Sequence, residues 1–550
     1  MFPKKQLAQL VLSACQYYKI DKVVISPGSR NAPLTVGFTN LESVEVFSIV
    51  DERCAAFFAL GIAQQTQKPV ALVCTSGSAL LNYYPSIAEA FYSKIPLLVI
   101  SADRPKHLID IGDGQTIRQE NVYKNHILFA ANLIEEEAEI DNNLKLVSKA
   151  IQTSIFKKGP VHINVPFNEP LYETVPELYE FNFEEVKTDE VSKTINYNQL
   201  ADIWNSSKKK LILVGVNFPL DELQLVLNRF ADDDSVLIMT ETTSNLYGEN
   251  YINSIDKLIS KLDEVAFEKL QPEVLLTFGG MVVSKRIKQF LRKYKPKHHW
   301  HIDEFTKMDT YFCLSEFIQE KPAIFLEELS SRREEVESDY QTFWKTEKVS
   351  RNQKHDEFFE TIPYSDLQVF DSVLKSIPDY SQVQVSNSSI IRYMQLFDVN
   401  STLKVFCNRG TSGIDGSTST AIGASFVSDR QTVFITGDLS FFYDSNALWN
   451  NYIPKNFRII LINNSGGGIF KIIPGPKTTN ALHNFETPHN LTAEHLAKMF
   501  NLEYNCAHSI DEVENQLQGF YTDVDQPKIL EIFTPSDQND TVLQEYFKSL

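Results

Sequence analysis

Residues 432–440, TVFITGDLS, and residues 458–468, RIILINNSGGG, decide how this chain folds. Each opens with an unbroken run of aliphatic and β-branched residues, the pattern of a strand buried on both faces of a parallel sheet. Each closes in Gly, Asp, Asn or Ser, the residues that turn a chain away from a strand. Asp438 and Asn464 lie 26 positions apart, room for one strand–helix–strand crossover. The two loops therefore sit side by side at the carboxyl ends of neighbouring strands, where open α/β sheets bind ligands. A carboxylate, an amide oxygen and the carbonyl of Gly466 are hard donors that suit Mg²⁺ bound to a diphosphate. Taken singly, either loop is more often an ordinary turn than a ligand site.

Working outward, the same alternation of short apolar runs and helical patterns fills the chain. Runs at 22–26, 70–74, 96–101 and 161–165 precede Pro166 and Pro170; runs at 210–216, 236–240, 274–278 and 299–302 follow; those at 382–386, 403–407 and 528–532 join the opening pair. The expected architecture is α/β, with three consecutive α/β domains and mainly parallel sheets. Expected boundaries are 1–180, 195–330 and 366–550, with a charged helical linker over 331–365 and an acidic linker near 179–194. The central unit carries no G-x-G-x-x-G after its first strand, which weakens a dinucleotide reading.

Composition sets the limits. The 550 residues carry a net charge of −19 and 43% hydrophobic residues, an ordinary globular composition that excludes disorder and a general electrostatic grip on nucleic acid. The six cysteines form no C-x-x-C pair and read as reduced thiols of a cytosolic (cytoplasmic) protein. No apolar run approaches the roughly 20 residues that span a bilayer. The segment 295–301, KPKHHWH, reads as a structural strand rather than a metal site, and the acidic run 135–139 as a solvated face.

Gly437-Asp438 and Asn463-Asn464 at crossover spacing resemble the diphosphate–metal motif of thiamine diphosphate-dependent enzymes, with Leu439 where many members carry a second glycine. Such enzymes need a carboxyl group to share a proton with the aminopyrimidine ring. Glu52, in Asp51-Glu52-Arg53 ahead of the apolar stretch 54–61, is the candidate; the bland alternative is an acidic helix start capped by Asp51. The turn Thr75, Ser76, Gly77 is placed to approach the pyrimidine. The resemblance covers the whole chain, in the order pyrimidine-binding, central and diphosphate-binding unit.

Within that superfamily, residues 26–34 (SPGSRNAPL), 102–105 (ADRP), 117–119 (IRQ), 387–392 (NSSIIR) and 408–416 (NRGTSGIDG) resemble the SEPHCHC synthase family of menaquinone biosynthesis. That resemblance implies a C–C transferase that decarboxylates 2-oxoglutarate and adds the succinyl carbanion equivalent to isochorismate, with thiamine diphosphate and Mg²⁺ or Mn²⁺ as cofactors. It further implies a homodimer or homotetramer whose Glu52 and Asp438 serving one cofactor come from different subunits. The matching positions imply catalytic roles for Glu52, Ser29, Arg30, Gln115, Arg392 and Arg409, and substrate binding by Arg104, Lys285, Arg286 and Ser388. Both substrates are dicarboxylates, and arginine forks pair bidentately with carboxylates. The implied cofactor contacts are Glu52, Thr75, Ser76, Gly77, Asn408, Gly410, Ser412, Gly413, Ile414, Gly437, Asp438, Leu439, Ser440, Asn464, Gly466, Gly467, Ile469 and Phe470. Ile414 would wedge between the cofactor rings, and Asp438, Asn464 and Gly466 would hold the metal. Gly114 stands before Gln115 where relatives often carry Asn. The rivals are a sister thiamine enzyme acting on a smaller 2-oxo acid, which would not need so many arginines, and a catalytically silent protein that keeps the diphosphate loops.

Overall fold

A computed structural model describes residues 1–183, 194–473, 475–522 and 525–550; most of the linker expected over 179–194 lies outside the described residues. Three six-stranded sheets, each parallel throughout, follow one another along the chain. In the first, the strands in spatial order are Glu45–Ser48, Lys22–Ile25, Val70–Cys74, Leu97–Asp103, Val161–Pro166 and Ala130–Asn132. In the third they are Lys404–Cys407, Gln382–Val385, Thr432–Gly437, Phe457–Asn463, Lys528–Phe533 and Glu503–Ala507. Counted by first appearance, both sheets read 2-1-3-4-6-5. The two outer units thus share a topology that their sequences do not reveal.

The central sheet runs Tyr251–Ile252, Val236–Met239, Lys210–Val214, Val274–Phe278, His298–Ile302, Glu316–Ile318, the 3-2-1-4-5-6 order of doubly wound nucleotide-binding folds. Its switch point is closed by its own backbone: a Cβ on Gly215 would lie 2.0 Å from the Gly280 carbonyl oxygen. His299 and His301 both bond Thr277 Oγ1 at 3.0 Å, so this pair is absorbed inside the sheet. Cys313 Sγ lies 3.9 Å from His299 Nδ1 and Asp309 Oδ1 4.0 Å, neighbours the sequence does not indicate. No group of three metal-ligating His, Cys, Asp or Glu side chains occurs among the described residues. The charged stretch after the central unit forms the helix Tyr340–Phe359. No helix among the described residues is long and apolar enough to cross a membrane.

The outer units pack against each other through topologically equivalent helices. Glu52–Thr66 is buried from Cys54 to Gln64, as expected of a helix that is apolar all round. It crosses Ser417–Phe426, whose residues Ser417 to Ser425 are all buried. Glycines make the crossing possible: a Cβ on Gly61 would meet Thr420 O at 2.1 Å, and one on Gly423 would meet Phe58 O at 2.0 Å. A single apolar cluster runs through the interface, from Leu72 and Leu97 through Phe58 and Ile62 to Ile422, Phe434 and Ile459.

Candidate active site

The switch points of the two outer sheets are the places where their loops part, and the predicted residues collect there. In the first unit the crevice opens between Lys22–Ile25 and Val70–Cys74. A Cβ on Gly28 would lie 2.4 Å from Thr75 Cβ, so only glycine lets the loops approach this closely. Arg30 N donates to Thr75 Oγ1 at 3.2 Å. Gln115 donates to Ser76 O at 3.1 Å and Ser76 Oγ donates to Gln115 O at 3.0 Å, which ties the two loops together. Gln119, fully buried, accepts from Gly77 N at 2.9 Å and donates to Ala102 O at 3.1 Å. Ser29 is exposed on the same loop. Gly114 has open space where a side chain would project.

Two guanidiniums meet at this crevice. Arg30, 4% exposed, donates to Phe167 O at 2.8 Å and pairs with Glu169 at 3.1 Å. Burial, then the neighbouring Arg104, pulls its pKa down. Arg104 lies 3.7 Å from Asp113, and the buried Nε atoms of both arginines have no partner among the described residues. Glu52 begins its helix beside this crevice. Asp51 does the capping, accepting from Cys54 N at 3.1 Å, so the Glu52 carboxylate is free of that duty and accepts instead from Asn82 Nδ2 at 3.3 Å.

In the third unit the crevice lies between Gln382–Val385 and Thr432–Gly437. Asp438 Oδ2 accepts from Gly466 N at 2.9 Å, which draws the two predicted loops together, and His489 Nε2 lies 3.4 Å from the same oxygen. Gly466 has φ +148, and a Cβ there would meet Glu486 O at 2.7 Å. Asn464 Nδ2 donates to Asp366 Oδ2 at 2.9 Å, while its buried Oδ1 has no partner among the described residues. An unsatisfied buried amide oxygen beside a buried carboxylate fits a hard divalent cation, which needs oxygen donors. Asp438, Asn464 and the Gly466 carbonyl are thus able to hold Mg²⁺ or Mn²⁺. Asp366 itself is fully buried, which pushes its pKa up to about 6.

The loop from Asn408 to Ile414 faces this crevice. Asn387, 1% exposed, donates to Asn408 O and Gly413 O, both at 2.7 Å, and accepts from Arg409 Nη1 at 2.7 Å. Ser440 Oγ donates to Ile414 O at 2.9 Å. Ile414 is half-buried and belongs to none of the five apolar clusters among the described residues. Glu89 of the first unit, 1% exposed, accepts from Gly410 N at 2.7 Å, Thr411 N at 2.6 Å and Thr411 Oγ1 at 2.8 Å. Ser388 (φ +72) and Ser412 (φ +62) adopt left-handed or strained backbone, a sign of tightly constrained loops. Ile469 is buried, and Phe470 stacks on Phe485 at 5.4 Å. Asn408 donates to Thr420 Oγ1 at 2.9 Å. Leu439 N donates to Asp438 Oδ1 at 2.7 Å, and Gly467 N to Glu486 O at 2.7 Å.

A cationic cluster stands above that loop. Burial, then Arg409, lowers the pKa of Arg392. Lys288, half-buried, is likewise lowered by burial, with Glu241, Arg409 and Arg392 among its charged neighbours. Lys285 and Arg286 are exposed, and Arg286 lies over the Phe547 ring at 4.8 Å. Lys288 stands on the same helix, three residues on from Lys285, and it escaped the sequence reading. Glu241 accepts from Val283 N at 2.6 Å and Ser284 N at 2.8 Å, holding the start of the helix that bears Lys288; complete burial raises its pKa to about 7. Asn387, Gln119, Glu89, Asp366 and Glu241 were also missed as functional scaffolding. Asn387 and Gln119 stand inside the segments 387–392 and 117–119 with no role read for them, and Glu89, Asp366 and Glu241 lie outside every quoted motif.

Family models match three successive segments: the N-terminal binding domain of thiamine pyrophosphate enzymes over residues 5–125, their middle domain over 185–385 and their C-terminal binding domain over 387–532. Curated relatives named 2-succinyl-5-enolpyruvyl-6-hydroxy-3-cyclohexene-1-carboxylate synthase match across their whole length. That of Flavobacterium johnsoniae is 55% identical with 100% of both chains covered. That of Flavobacterium psychrophilum is 54% identical with the same coverage, and that of Phocaeicola vulgatus 36% identical over 100% of this chain and 98% of its own. Loops gathered at equivalent switch points, the paired oxygen donors and this full-length similarity agree: the chain belongs to the 2-succinyl-5-enolpyruvyl-6-hydroxy-3-cyclohexene-1-carboxylate synthase family of thiamine pyrophosphate-dependent transferases.

Proposed function

We propose that this enzyme uses thiamine diphosphate and Mg²⁺, with Mn²⁺ an acceptable substitute, to decarboxylate 2-oxoglutarate and join the remaining four-carbon fragment to isochorismate, giving CO2 and SEPHCHC for menaquinone biosynthesis. The observation that carries the reading is the juxtaposition of an oxygen-donor pocket at Asp438, Asn464 and Gly466 with the Arg409-bearing loop. Bound thiamine diphosphate supplies a carbon nucleophile and an electron sink for loss of CO2. Every other task falls to the chain. Asp438, Asn464 and the Gly466 carbonyl would hold the cation and, through it, the diphosphate; Gly410, Ser412, Gly413, Ser440 and Gly467 would line that cradle. Ile414, outside every apolar cluster among the described residues, would support the bent cofactor, with Ile469 and Phe470 as apolar wall. Glu52 would hold and return a proton at the aminopyrimidine ring nitrogen, because no capping duty occupies its carboxylate.

The four carboxylates of the two substrates call for a concentration of cations in a chain of net charge −19. Arg30 and Arg104 at one crevice, and Arg392, Arg409 and Lys288 at the other, supply it, and their forks would hold both partners in reacting geometry. Ser29, Gln115 and Ser388 would add hydrogen bonds. Within one chain the two units touch beside the site, through Glu89 on the Arg409 loop and Arg53 on Tyr443 O, but the hydrogen bonds that Arg30, Arg104, Gln115 and Glu52 make themselves stay within the first unit, and those of Arg409 and Asp438 within the central and third. That separation supports a homodimer, or a homotetramer built of two such dimers, in which one copy's first unit completes its partner's third. The same reading divides the chain into pyrimidine-binding (1–180), central (195–330), linker (331–365) and diphosphate-binding (366–550) parts. A cytosolic location accords with six cysteines that form no disulfide. The test supplies isochorismate with either 2-oxoglutarate or pyruvate and follows isochorismate loss. Consumption with 2-oxoglutarate alone is expected; equal consumption with pyruvate would move the protein to another branch of the superfamily.

A further inference from the structure

Asn464 presents two different faces. Its nitrogen donates to Asp366 Oδ2 at 2.9 Å, and its oxygen is buried with no donor to it among the described residues. An amide offers either oxygen or nitrogen in a given direction, and the choice is made by the group on its far side. An ionised carboxylate only accepts, so it compels the nitrogen to turn toward it and the oxygen to turn away. Asp366 is itself held on three sides. Thr534 Oγ1 donates to its Oδ1 at 2.6 Å, its backbone N donates to Asn539 Oδ1 at 2.8 Å, and it is 2% exposed. Thr534 follows the strand Lys528–Phe533 and Asn539 opens the helix Asn539–Ser549, so the grip reaches the end of the chain.

We infer that Asp366 is a positioning residue for the divalent cation, orienting the Asn464 amide so that its oxygen faces the cation. The inference rests on the reading of Asp438, Asn464 and Gly466 as the cation's holders, and it adds the group that makes Asn464 an oxygen donor. Partners behind a metal ligand typically alter affinity 10- to 100-fold. The neighbouring asparagine is held by a second acid: Asn463 Nδ2 donates to the fully buried Glu531 at 2.7 Å. Each member of the Asn-Asn pair thus has its own carboxylate, one fixing the turn and the other aiming the ligand.

The test measures Mg²⁺ affinity in the presence of saturating thiamine diphosphate, by calorimetry and by intrinsic fluorescence, on full-length protein. Asp366→Asn keeps the shape but no longer demands a donor, and Mg²⁺ affinity should fall about 10- to 100-fold with the thermal midpoint of the cofactor-free protein little changed. The double variant D366N/N464D reverses the polarity of the hydrogen bond while leaving an oxygen toward the cation, and should recover most of the lost affinity. Wild-type affinity in Asp366→Asn would overturn the inference. So would a variant that loses its fold and a double variant that fails to regain Mg²⁺, since that pattern marks a purely structural acid. Wild-type protein that binds thiamine diphosphate without any need for Mg²⁺ would instead overturn the reading of the cation site on which the inference stands.

Discussion

Replacing Gly423 with Ala sets two effects of known sign against each other. Helix propensity favours Ala over Gly by about 1 kcal/mol in a helix interior, and Gly423 lies within Ser417–Phe426. The new Cβ, however, would stand 2.0 Å from Phe58 O, 2.8 Å from Phe58 C and 3.0 Å from its Cα. Carbon–oxygen contacts in proteins settle near 3.3–3.6 Å, so the two helices must part by roughly 1.5 Å. The obstacle is backbone, which no rotamer change relieves. Overpacking costs about 1–3 kcal/mol, and an obstacle that cannot rotate away takes the upper part of that range, about 2–3 kcal/mol, so the clash outweighs propensity and the net change is a loss of about 1–2 kcal/mol. Gly519 provides the control: it lies in the helix Ile510–Phe520 with open space around it, and Gly519→Ala should gain up to about 1 kcal/mol. Thermal midpoints measured side by side should move in opposite directions. Gly61→Ala should resemble Gly423→Ala, and the double variant should cost less than the sum, because one separation accommodates both methyl groups. A rise in midpoint for Gly423→Ala equal to that of Gly519→Ala would refute the close crossing and the shared interface built on it.

Further expectations concern the site and its supports. Glu52→Gln should leave thiamine diphosphate affinity within a few-fold of wild type while turnover falls at least about 100-fold, the usual scale of a lost general acid–base group; binding and rate measured on one preparation check this. Glu89→Ala strands two backbone N–H groups of the Arg409 loop, at a cost of about 1–3 kcal/mol each where they stay buried, and should lower the thermal midpoint and weaken substrate saturation; an unchanged Michaelis constant would argue against the clamp. Burial depresses the pKa of His162 to about 3, against 6.5 for the exposed side chain. The folded state therefore resists a proton that the unfolded chain accepts, and stability from this group is complete above about pH 6.5 and lost as pH falls toward 3, at up to about 1.4 kcal/mol per pH unit. His162→Gln should lose less stability than wild type between pH 7 and 5 in denaturant titrations, and parallel losses would contradict the assignment.

Much of this architecture was legible because buried parallel strands write themselves as continuous apolar runs. The runs at 70–74 and 274–278 coincide with Val70–Cys74 and Val274–Phe278. Strands that left no such mark share one property. Glu45–Ser48, Ala130–Asn132, Tyr251–Ile252, Glu316–Ile318 and Glu503–Ala507 all lie at sheet edges. An edge strand is short and pairs on one side only, so polar residues such as Glu45 and Asn505 are tolerated there and the apolar signal breaks. The kinship of the outer units was invisible for a related reason: topology constrains strand order, not residue identity.

At the site, motif residues were legible where chemistry restricts the choice. Gly-Asp and Asn-Asn at crossover spacing are few-option positions, and Gly466 draws to Asp438 through a single backbone hydrogen bond. The supports were not legible, because any acid can serve once the fold delivers it. Glu89 acts 321 positions away from Gly410, and Asp366 acts 98 positions away from Asn464. Ser365 and Asp366 read locally as a helix start, and Ser365 does cap Gln368; nothing in the local pattern says that the next side chain turns inward to an amide. Lys288 escaped for the opposite reason, lying one turn along a helix beyond two cations that drew the eye first.

The central claim is tested most directly by CO2 release from purified protein given thiamine diphosphate, Mg²⁺ and 2-oxoglutarate, with and without isochorismate. Sustained release only when isochorismate is present, with one isochorismate consumed per CO2, is the predicted result. Sustained release from 2-oxoglutarate alone at the same rate, or none under either condition from protein that binds the cofactor, would contradict it.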